Sequence, residues 1–219
     1  MQFENGEYYH IYNRGVEKRD IFLCRGDYER FLKSMQEFNN SLLHEQRIYF
    51  KNRYSHSEGK SEFNSEASEL NSEKLVEIIC YCLNSNHFHL ILKQLIERGI
   101  EKFMQKIGTG YTNYFNLKYK RVGSLFQGRY KAKHIDEDEN LLWLSAYVNC
   151  NAQIHGLCKD AKEYPWSSYK EFFSKSKKGI CDKEIVTSQF KNIEDYRRFM
   201  NEVLPIIKEN KKLEKYLMD

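Results

Sequence analysis

The stretch Glu77–Lys93, EIICYCLNSNHFHLILK, decides how this chain folds. It consists of two apolar runs, and both are too rich in β-forming residues to be a surface element. A short polar interruption separates the runs, and residues of that kind favour tight turns. The pattern therefore predicts two short strands joined by a turn, and the second strand carries two histidines one residue apart.

Strand and helix patterns alternate on both sides of this stretch. The segment Tyr8–Gly15 alternates aromatic or β-branched residues with polar ones, which predicts a strand. A helix follows it, and Asp27 is the predicted N-cap. Apolar residues at helical spacing predict a second helix within residues 99–119, and Ser124–Ile135 predicts a further strand. An acidic start then predicts a helix that carries residues 142–155.

The predicted order is β-α-β-β-α-β-α. Short strands that alternate with helices and are partly linked by hairpins indicate an α+β protein with a ferredoxin-like or RRM-like antiparallel sheet. We expect helices on one or both faces of this sheet, followed by a C-terminal helical extension. The predicted domains are a catalytic unit at 1–175, interrupted by a polar insertion at 44–73, and a charged, helical tail at 176–219.

The composition bounds the class of protein. The chain has 219 residues, a formal net charge of +4 and 41% hydrophobic residues, so it can form a core and is not disordered overall. No apolar run approaches the roughly 20 residues needed to cross a membrane, and the N-terminus is not a secretory signal. These features predict a cytoplasmic protein. The six cysteines contain no CxxC pair, which favours reduced thiols over a metal site or disulfides.

The histidine pair His87 and His89 is the first candidate functional feature. Residues two apart on a strand point to the same face, with Cα atoms roughly 6.6 Å apart, so both imidazoles can approach one metal ion. Phe88, between them, would point into the core. Imidazole suits transition metals better than Mg²⁺. Taken alone, the pair could equally be two core or surface histidines.

A second candidate lies on the helix that carries residues 142–155. Tyr147 and Asn151 are four residues apart and therefore share a helix face. If this helix packs against the histidine strand, the amide oxygen of Asn151 would add an oxygen ligand and Tyr147 would lie beside the ion as a nucleophile. With 16 tyrosines in the chain, an ordinary packing role is the alternative for each of them. Tyr111 and Tyr114 are interpreted as packing residues.

The segment Lys120–His134 concentrates positive charge. On a strand, Arg129, Lys131 and Lys133 would share one face, and Phe126 and Tyr130 are interleaved with them. Cations in a row bind phosphates and aromatic rings stack on unpaired bases, so the segment predicts contact with single-stranded DNA. Arg14 and Arg121 are further candidates for DNA binding. An ordinary solvated strand face is the alternative, and His10 and His155 are interpreted as structural.

These motifs, in this order, resemble the HUH-type single-tyrosine transposases. NHFHL on a strand is followed by a helix with Y-x-x-x-N, and YHIYNRG, GSLFQGRYK and NAQIHG…YPWSSY are similar to the branch associated with repetitive extragenic palindromes (REP). The resemblance runs from about Tyr8 to Phe173. It implies His87 and His89 as metal ligands, Tyr147 as the nucleophile and Asn151 as the third ligand, where many relatives have glutamine.

The resemblance also implies a reaction and its partners. A divalent metal ion, Mg²⁺ or Mn²⁺, would assist the nicking and rejoining of single-stranded or hairpin DNA through a covalent 5′-phosphotyrosine. We expect no membrane partner, and relatives act both as monomers and as dimers. Two alternatives stay open: a non-catalytic module that binds single-stranded nucleic acid, and a metallo-nuclease that uses water as its nucleophile.

Overall fold

The computed structural model describes residues 2–41, 73–174, 176 and 179–217, with side chains described up to residue 210. The predicted polar insertion at 44–73 therefore lies, except for Glu73, outside the described residues. Within them, four strands form one antiparallel sheet: β1 (Tyr8–Arg14), β2 (Val76–Asn84), β3 (His87–Gln94) and β4 (Lys131–Ile135). Their spatial order, β2-β3-β1-β4, is that of a ferredoxin-like βαββαβ sheet, and the predicted fold class is confirmed.

Two long helices cover one face of this sheet. Helix α1 (Arg25–Glu37) and helix α2 (Gly99–Lys118) pack on the side chains of alternate strand residues. Phe31 from α1, Phe103 from α2 and Phe88 from β3 are fully or almost fully buried in this first core. The burial of large apolar side chains, each contributing about 1.5–3 kcal/mol, is what holds the helices on the sheet.

Shorter helices cover part of the opposite face. Helix α3 (Asp138–Asn149) ends at Cys150, whose φ of −97° and ψ of 6° interrupt the helix before α4 (Asn151–Ile154). Helices α5 (Tyr169–Phe173), α6 (Glu184–Thr187) and α7 (Ile193–Leu217) complete this side. The second core is formed by their apolar side chains with those of the sheet, among them Ile79, Ile91, Val148, Phe172 and Val186.

Two local predictions were wrong. Asp27 is not the N-cap of α1, because the helix begins one turn earlier, after Cys24; the Asp27 carboxylate instead accepts the backbone N–H groups of Leu23 and Cys24 from the third helical position. The strand predicted from Ser124 begins only at Lys131. Gly128, with φ of +139°, adopts a backbone conformation that a regular strand does not allow.

The C-terminal tail holds the helix that carries Tyr147. The hydroxyl of the buried Tyr196 on α7 lies 3.0 Å from Ser145 Oγ and accepts a hydrogen bond of 3.1 Å from Asn149 Nδ2, both on α3. Asn149 Oδ1 accepts in turn from Ser168 Oγ at 2.6 Å, and Ser168 Oγ is hydrogen-bonded to the backbone of Tyr81 on β2. This buried polar network fixes α3 against the sheet. The division of the chain at residue 175 stays a prediction.

Replacing Tyr196 by phenylalanine should lower the free energy of unfolding by about 1–3 kcal/mol, because buried partners on α3 lose their hydrogen bonds. Urea denaturation measures this change. The single variants Tyr196→Phe and Ser145→Ala and the double variant form a thermodynamic cycle. We expect the two losses to be non-additive, since the side chains share one hydrogen bond. A coupling energy below about 0.5 kcal/mol between the two substitutions, the scatter seen for independent sites, would contradict this role of the tail.

The six cysteines all lie within the described residues and carry free thiols. Helices in the described part of the chain are all too short or too polar to cross a membrane.

Candidate active site

The two histidines of β3 lie side by side on the sheet face that the first core leaves uncovered. Phe88 and Leu90 point into the first core, whereas Ile91 packs in the second, so His87 and His89 face the side of α3. Their ring centroids are 5.2 Å apart and their planes are nearly perpendicular, at 87°. The same-face placement expected from the strand period is therefore observed.

Hydrogen bonds hold both rings at their Nδ1 atoms. Nδ1 of His87 lies 2.6 Å from Asn86 Oδ1, and since an amide oxygen only accepts, the proton of His87 is on Nδ1. Nε2 of His87 then accepts from Asn84 Nδ2 at 2.8 Å. Nδ1 of His89 lies 2.9 Å from Nε2 of His10 on the neighbouring strand β1.

His10 belongs to the site, although the sequence interpretation treated it as structural. It is 8% exposed and His89 is 7% exposed, so their shared hydrogen bond is shielded from water. Burial and, to a lesser extent, the positive charge of Lys133 together lower the pKa of His10 to about 4. His10 is therefore a neutral imidazole at physiological pH.

Tyr147 meets the histidines, as the sequence interpretation required. Its ring lies edge-on to His89, with centroids 5.5 Å apart, and to His10, with centroids 6.1 Å apart. These contacts join α3 to two strands that are far from it in sequence. The buried polar network around Tyr196 fixes α3 from its other side, through Ser145 and Asn149.

Asn151 is linked to His87 only indirectly, through the side-chain amide of Asn84. It is completely buried, and its Oδ1 accepts a hydrogen bond from Asn84 Nδ2, the same amide nitrogen that contacts His87 Nε2. The Nδ2 of Asn151 is buried without a partner among the described residues. The structure thus joins Asn151 to His87 through Asn84, and its role as third ligand stays a prediction.

The site opens into a cavity of about 1060 Å³. His155, interpreted from the sequence as structural, lines it with a ring centroid 4.8 Å from that of His87. The cavity wall carries three cationic side chains and one carboxylate, so it favours an anionic ligand. These four are Arg14, Arg129, Lys131 and Glu17.

The cations reach this cavity in different ways. Strand register pairs Lys131 with Tyr12 and Lys133 with His10, which places both lysines on the histidine face. Arg129 does not share a strand face with them, because it precedes β4; its guanidinium lies over the Tyr130 ring and 3.5 Å from Glu101.

The two remaining arginines, Arg14 and Arg121, differ in whether their guanidinium groups already have hydrogen-bond partners. Arg14 pairs with His87 across the sheet, and its Nε is buried without a partner among the described residues. Arg121 donates to Asn116 Oδ1 at 2.9 Å and does not line the cavity.

The tyrosines predicted to pack do so. Tyr111 is fully buried and donates its hydroxyl to the Ile21 carbonyl at 2.6 Å, and Tyr114 donates to Asp27 Oδ1 at 3.0 Å. One tyrosine was missed: Tyr12 lines the cavity, with its ring 5.8 Å from His89 and 5.1 Å from His10. The alternation of Tyr8, His10 and Tyr12 in the first strand predicts that they share one face, but it does not place that face beside His89.

The spacing of the two imidazoles is compatible with one divalent metal ion between them. Two imidazoles bound to one ion at the usual ~2.1 Å would have ring centroids about 5 Å apart, close to the 5.2 Å observed for His87 and His89. In metal-binding histidines the second ring nitrogen is typically hydrogen-bonded, as the Nδ1 atoms are here. The two imidazoles could therefore share one ion if Asn84 Nδ2 gave up its contact with His87 Nε2. Among the described residues no group of three or more His, Cys, Asp or Glu side chains could hold a metal, so a third ligand would have to come from elsewhere.

Comparisons with known proteins agree with this geometry. The family model described as an IS200-like transposase matches residues 46–151, a range that contains His87, His89, Tyr147 and Asn151. The fold is similar to the solved structure of a REP-associated tyrosine transposase bound to a REP hairpin, with 12% identity and a TM-score of 0.52 over 82% of this chain and 87% of that one. None of the curated proteins matches the chain. The resemblance predicted from the motifs is confirmed for residues 46–151, which match the IS200-like transposase model over just under half of the chain.

Proposed function

We propose that this protein is a transposase that cleaves and rejoins single-stranded DNA next to hairpins of the REP type, and that Tyr147 becomes covalently linked to the 5′-phosphate. The observation that carries the proposal is the edge-on contact of Tyr147 with His89, in a cavity that also contains His87. A nucleophile beside a potential metal site is the arrangement that phosphoryl transfer to a phenol requires. The REP hairpin of the structurally similar transposase supports the choice of DNA.

The reaction exchanges one phosphodiester for another. Tyr147 Oη attacks phosphorus and loses its proton to solvent, the bond from phosphorus to the 3′-oxygen breaks, and this oxygen takes up a proton to become a free 3′-OH. Attack of a second 3′-OH on the phosphotyrosine reverses these steps and joins the strands. The number of phosphate ester bonds does not change, so the cycle needs no ATP.

The side chains around Tyr147 have separate tasks. A divalent cation, Mg²⁺ or Mn²⁺, held by His87, His89 and Asn151, would supply Lewis-acid stabilisation of charge on the scissile phosphate. Asn86 and His10 orient the two imidazoles through their Nδ1 atoms. The packing of α3 on α7 keeps Tyr147 at a fixed distance from the histidines.

The cationic wall of the cavity supports DNA as the substrate. Arg14 has a buried guanidinium nitrogen without a partner among the described residues, and Lys131 lines the same cavity. Lys133 continues the stripe along β4 beside His10. Phosphate groups of a strand that enters the cavity would satisfy these donors. Arg129 forms an ion pair with Glu101 and would therefore contact DNA less directly.

Replacing Lys131 and Lys133 together by alanine should weaken the binding of single-stranded DNA roughly tenfold near 150 mM salt. Each lost phosphate contact should also reduce the slope of log K against log salt by about 0.7. Fluorescence anisotropy at several salt concentrations measures both quantities. Lys33→Ala, which removes a cation from α1 on the opposite face, is the matched control. An unchanged salt slope in the double variant would exclude the two lysines as phosphate ligands.

The decisive experiment is a cleavage assay with labelled DNA. The protein is incubated with Mn²⁺ or Mg²⁺ and a single-stranded oligonucleotide that contains a hairpin, and the products are separated on a denaturing gel. A labelled band that migrates with the protein and disappears on protease treatment supports the proposal. Free cleaved DNA without this band would favour the water-using nuclease, and binding without cleavage would favour the non-catalytic module.

The proposed active site can form within one copy of the chain. Tyr147 contacts His89 and His10 of its own chain, and the tail that fixes α3 is also its own. This supports a site that is complete in the monomer, without an exchange of tyrosine helices between two copies. We propose that the protein acts in the cytoplasm.

A further inference from the structure

The buried pair of His10 and His89 is not explained by core packing alone. The two rings lie on adjacent strands in diagonal positions, since His10 is paired with Ile91 and His89 with Tyr12. Diagonal neighbours on one face are within reach of each other when their side chains are long or aromatic. An apolar residue at either position would fill the same space without a polar atom that needs a partner.

The geometry shows a directed hydrogen bond between the two imidazoles. Their planes differ by only 17° and their centroids are 5.1 Å apart. This separation is close to the 2.9 Å N···N distance plus the radii of the two rings. The rings therefore meet edge to edge in nearly one plane, and the N–H of one points at the nitrogen lone pair of the other.

Because the two rings share one hydrogen bond, the tautomer of one imidazole determines the tautomer of the other. If His89 donates from Nδ1, its Nε2 keeps a lone pair; if His10 donates from Nε2, His89 must carry its proton on Nε2. A metal ion binds only a ring nitrogen that has no proton. The first arrangement permits a cation at His89 Nε2, and the second blocks it.

We propose that His10 is a positioning residue that accepts the Nδ1 proton of His89 and thereby presents Nε2 of His89 to the divalent cation. This inference rests on the proposed metal site and adds a residue to it. The pair would act as the histidine counterpart of the carboxylate or carbonyl that usually orients a metal-binding imidazole. Asn86 performs the same task for His87, through an amide oxygen.

The pair also connects the cation site to the nucleophile. The ring of Tyr12 lies nearly parallel to both imidazoles, at interplanar angles of 30° and 24°, whereas the ring of Tyr147 stands nearly perpendicular to both, at 82° and 86°. A change in the tilt of His89 would therefore alter its contact with Tyr147. His10 fixes the orientation of the ligand and, through it, that of the phenol.

The test compares two replacements of His10 that differ only in the acceptor they offer. His10→Gln places an amide oxygen near the position of Nε2, whereas His10→Leu has no acceptor. Calorimetric titration of DNA-free protein with Mn²⁺ gives the affinity, and thermal unfolding in EDTA reports folding separately. His134→Leu removes an exposed histidine of β4 that is bonded to Glu7, and serves as the matched control.

We expect His10→Leu to bind Mn²⁺ about 10–100-fold more weakly than the wild type, the range typical for loss of such a partner. His10→Gln should recover most of this affinity, and His134→Leu should match the wild type. If His10→Leu does not fold, His10→Asn replaces it, because its shorter amide cannot reach His89. Equal affinity of the wild type and the acceptor-free variant would overturn the inference.

A second readout separates failure of this inference from failure of the proposed function. Long-range ¹H–¹⁵N NMR of the imidazoles identifies the protonated nitrogen of each histidine. We expect the proton of His89 on Nδ1 in the wild type and in His10→Gln. A proton on Nε2 of His89 in the wild type would overturn the role of His10, whereas a wild type that binds no Mn²⁺ would overturn the metal site itself.

Discussion

Replacing Tyr147 by phenylalanine should abolish the protein-linked DNA product and reduce strand cleavage by about 10³-fold or more. Phenylalanine keeps the ring that packs edge-on against His89 and His10, so the variant loses only the attacking oxygen. Folding and DNA binding should therefore stay at the level of the wild type. Denaturing gels and protease digestion measure the covalent product, and anisotropy measures DNA binding.

A second tyrosine in the cavity provides an alternative nucleophile that the experiment must distinguish from Tyr147. Tyr12 lies next to both imidazoles and is the alternative nucleophile that the geometry offers. Tyr12→Phe should retain the covalent product, and Tyr114→Phe, on the opposite face, should behave as the wild type. Peptide mapping of the adduct assigns the linked residue. An adduct that persists in Tyr147→Phe and maps to Tyr12 would reverse the two roles, and hydrolysed DNA without an adduct would indicate a water nucleophile.

The positions of the main site residues could be predicted because they follow from local periodicity. A strand repeats its faces every two residues, which places His87 and His89 together. The four-residue helical spacing predicted a shared face for Tyr147 and Asn151, but the interruption at Cys150 divides them between α3 and α4. The order of the motifs then indicated the resemblance to the single-tyrosine transposases. The packing of α3 against β3 is a tertiary contact that periodicity cannot predict. It could be expected only from the resemblance.

What could not be predicted depends on strand register and on single backbone angles. His10 contacts His89 because β1 lies beside β3 with one particular pairing, and no spacing along the chain encodes that pairing. Arg129 was misplaced because Gly128 adopts a positive φ and delays the start of β4. Asn84, which links His87 to Asn151, looked like an ordinary turn residue of the hairpin.

Replacing either histidine of β3 by alanine should remove most of the affinity for Mn²⁺ and reduce cleavage by at least about 10²-fold. A cation on the scissile phosphate contributes several kcal/mol to the stabilisation of the transition state, and two nitrogen ligands are needed to hold it there. Binding of single-stranded DNA should change little, because the proposed phosphate contacts come from Arg14, Lys131 and Lys133, which are not altered. Calorimetry, the gel assay and anisotropy measure the three quantities separately.

The two variants should nevertheless differ in stability. Loss of His89 leaves Nε2 of the buried His10 without its partner, so we expect His89→Ala to unfold at a lower temperature than His87→Ala. His87 lies nearer the surface, and Asn84 keeps its bond to Asn151 when His87 is removed. His155→Ala is the informative comparison, because its ring is adjacent to His87 and is not assigned as a ligand. A loss of Mn²⁺ binding as large as in His87→Ala would make His155, rather than Asn151, the third ligand.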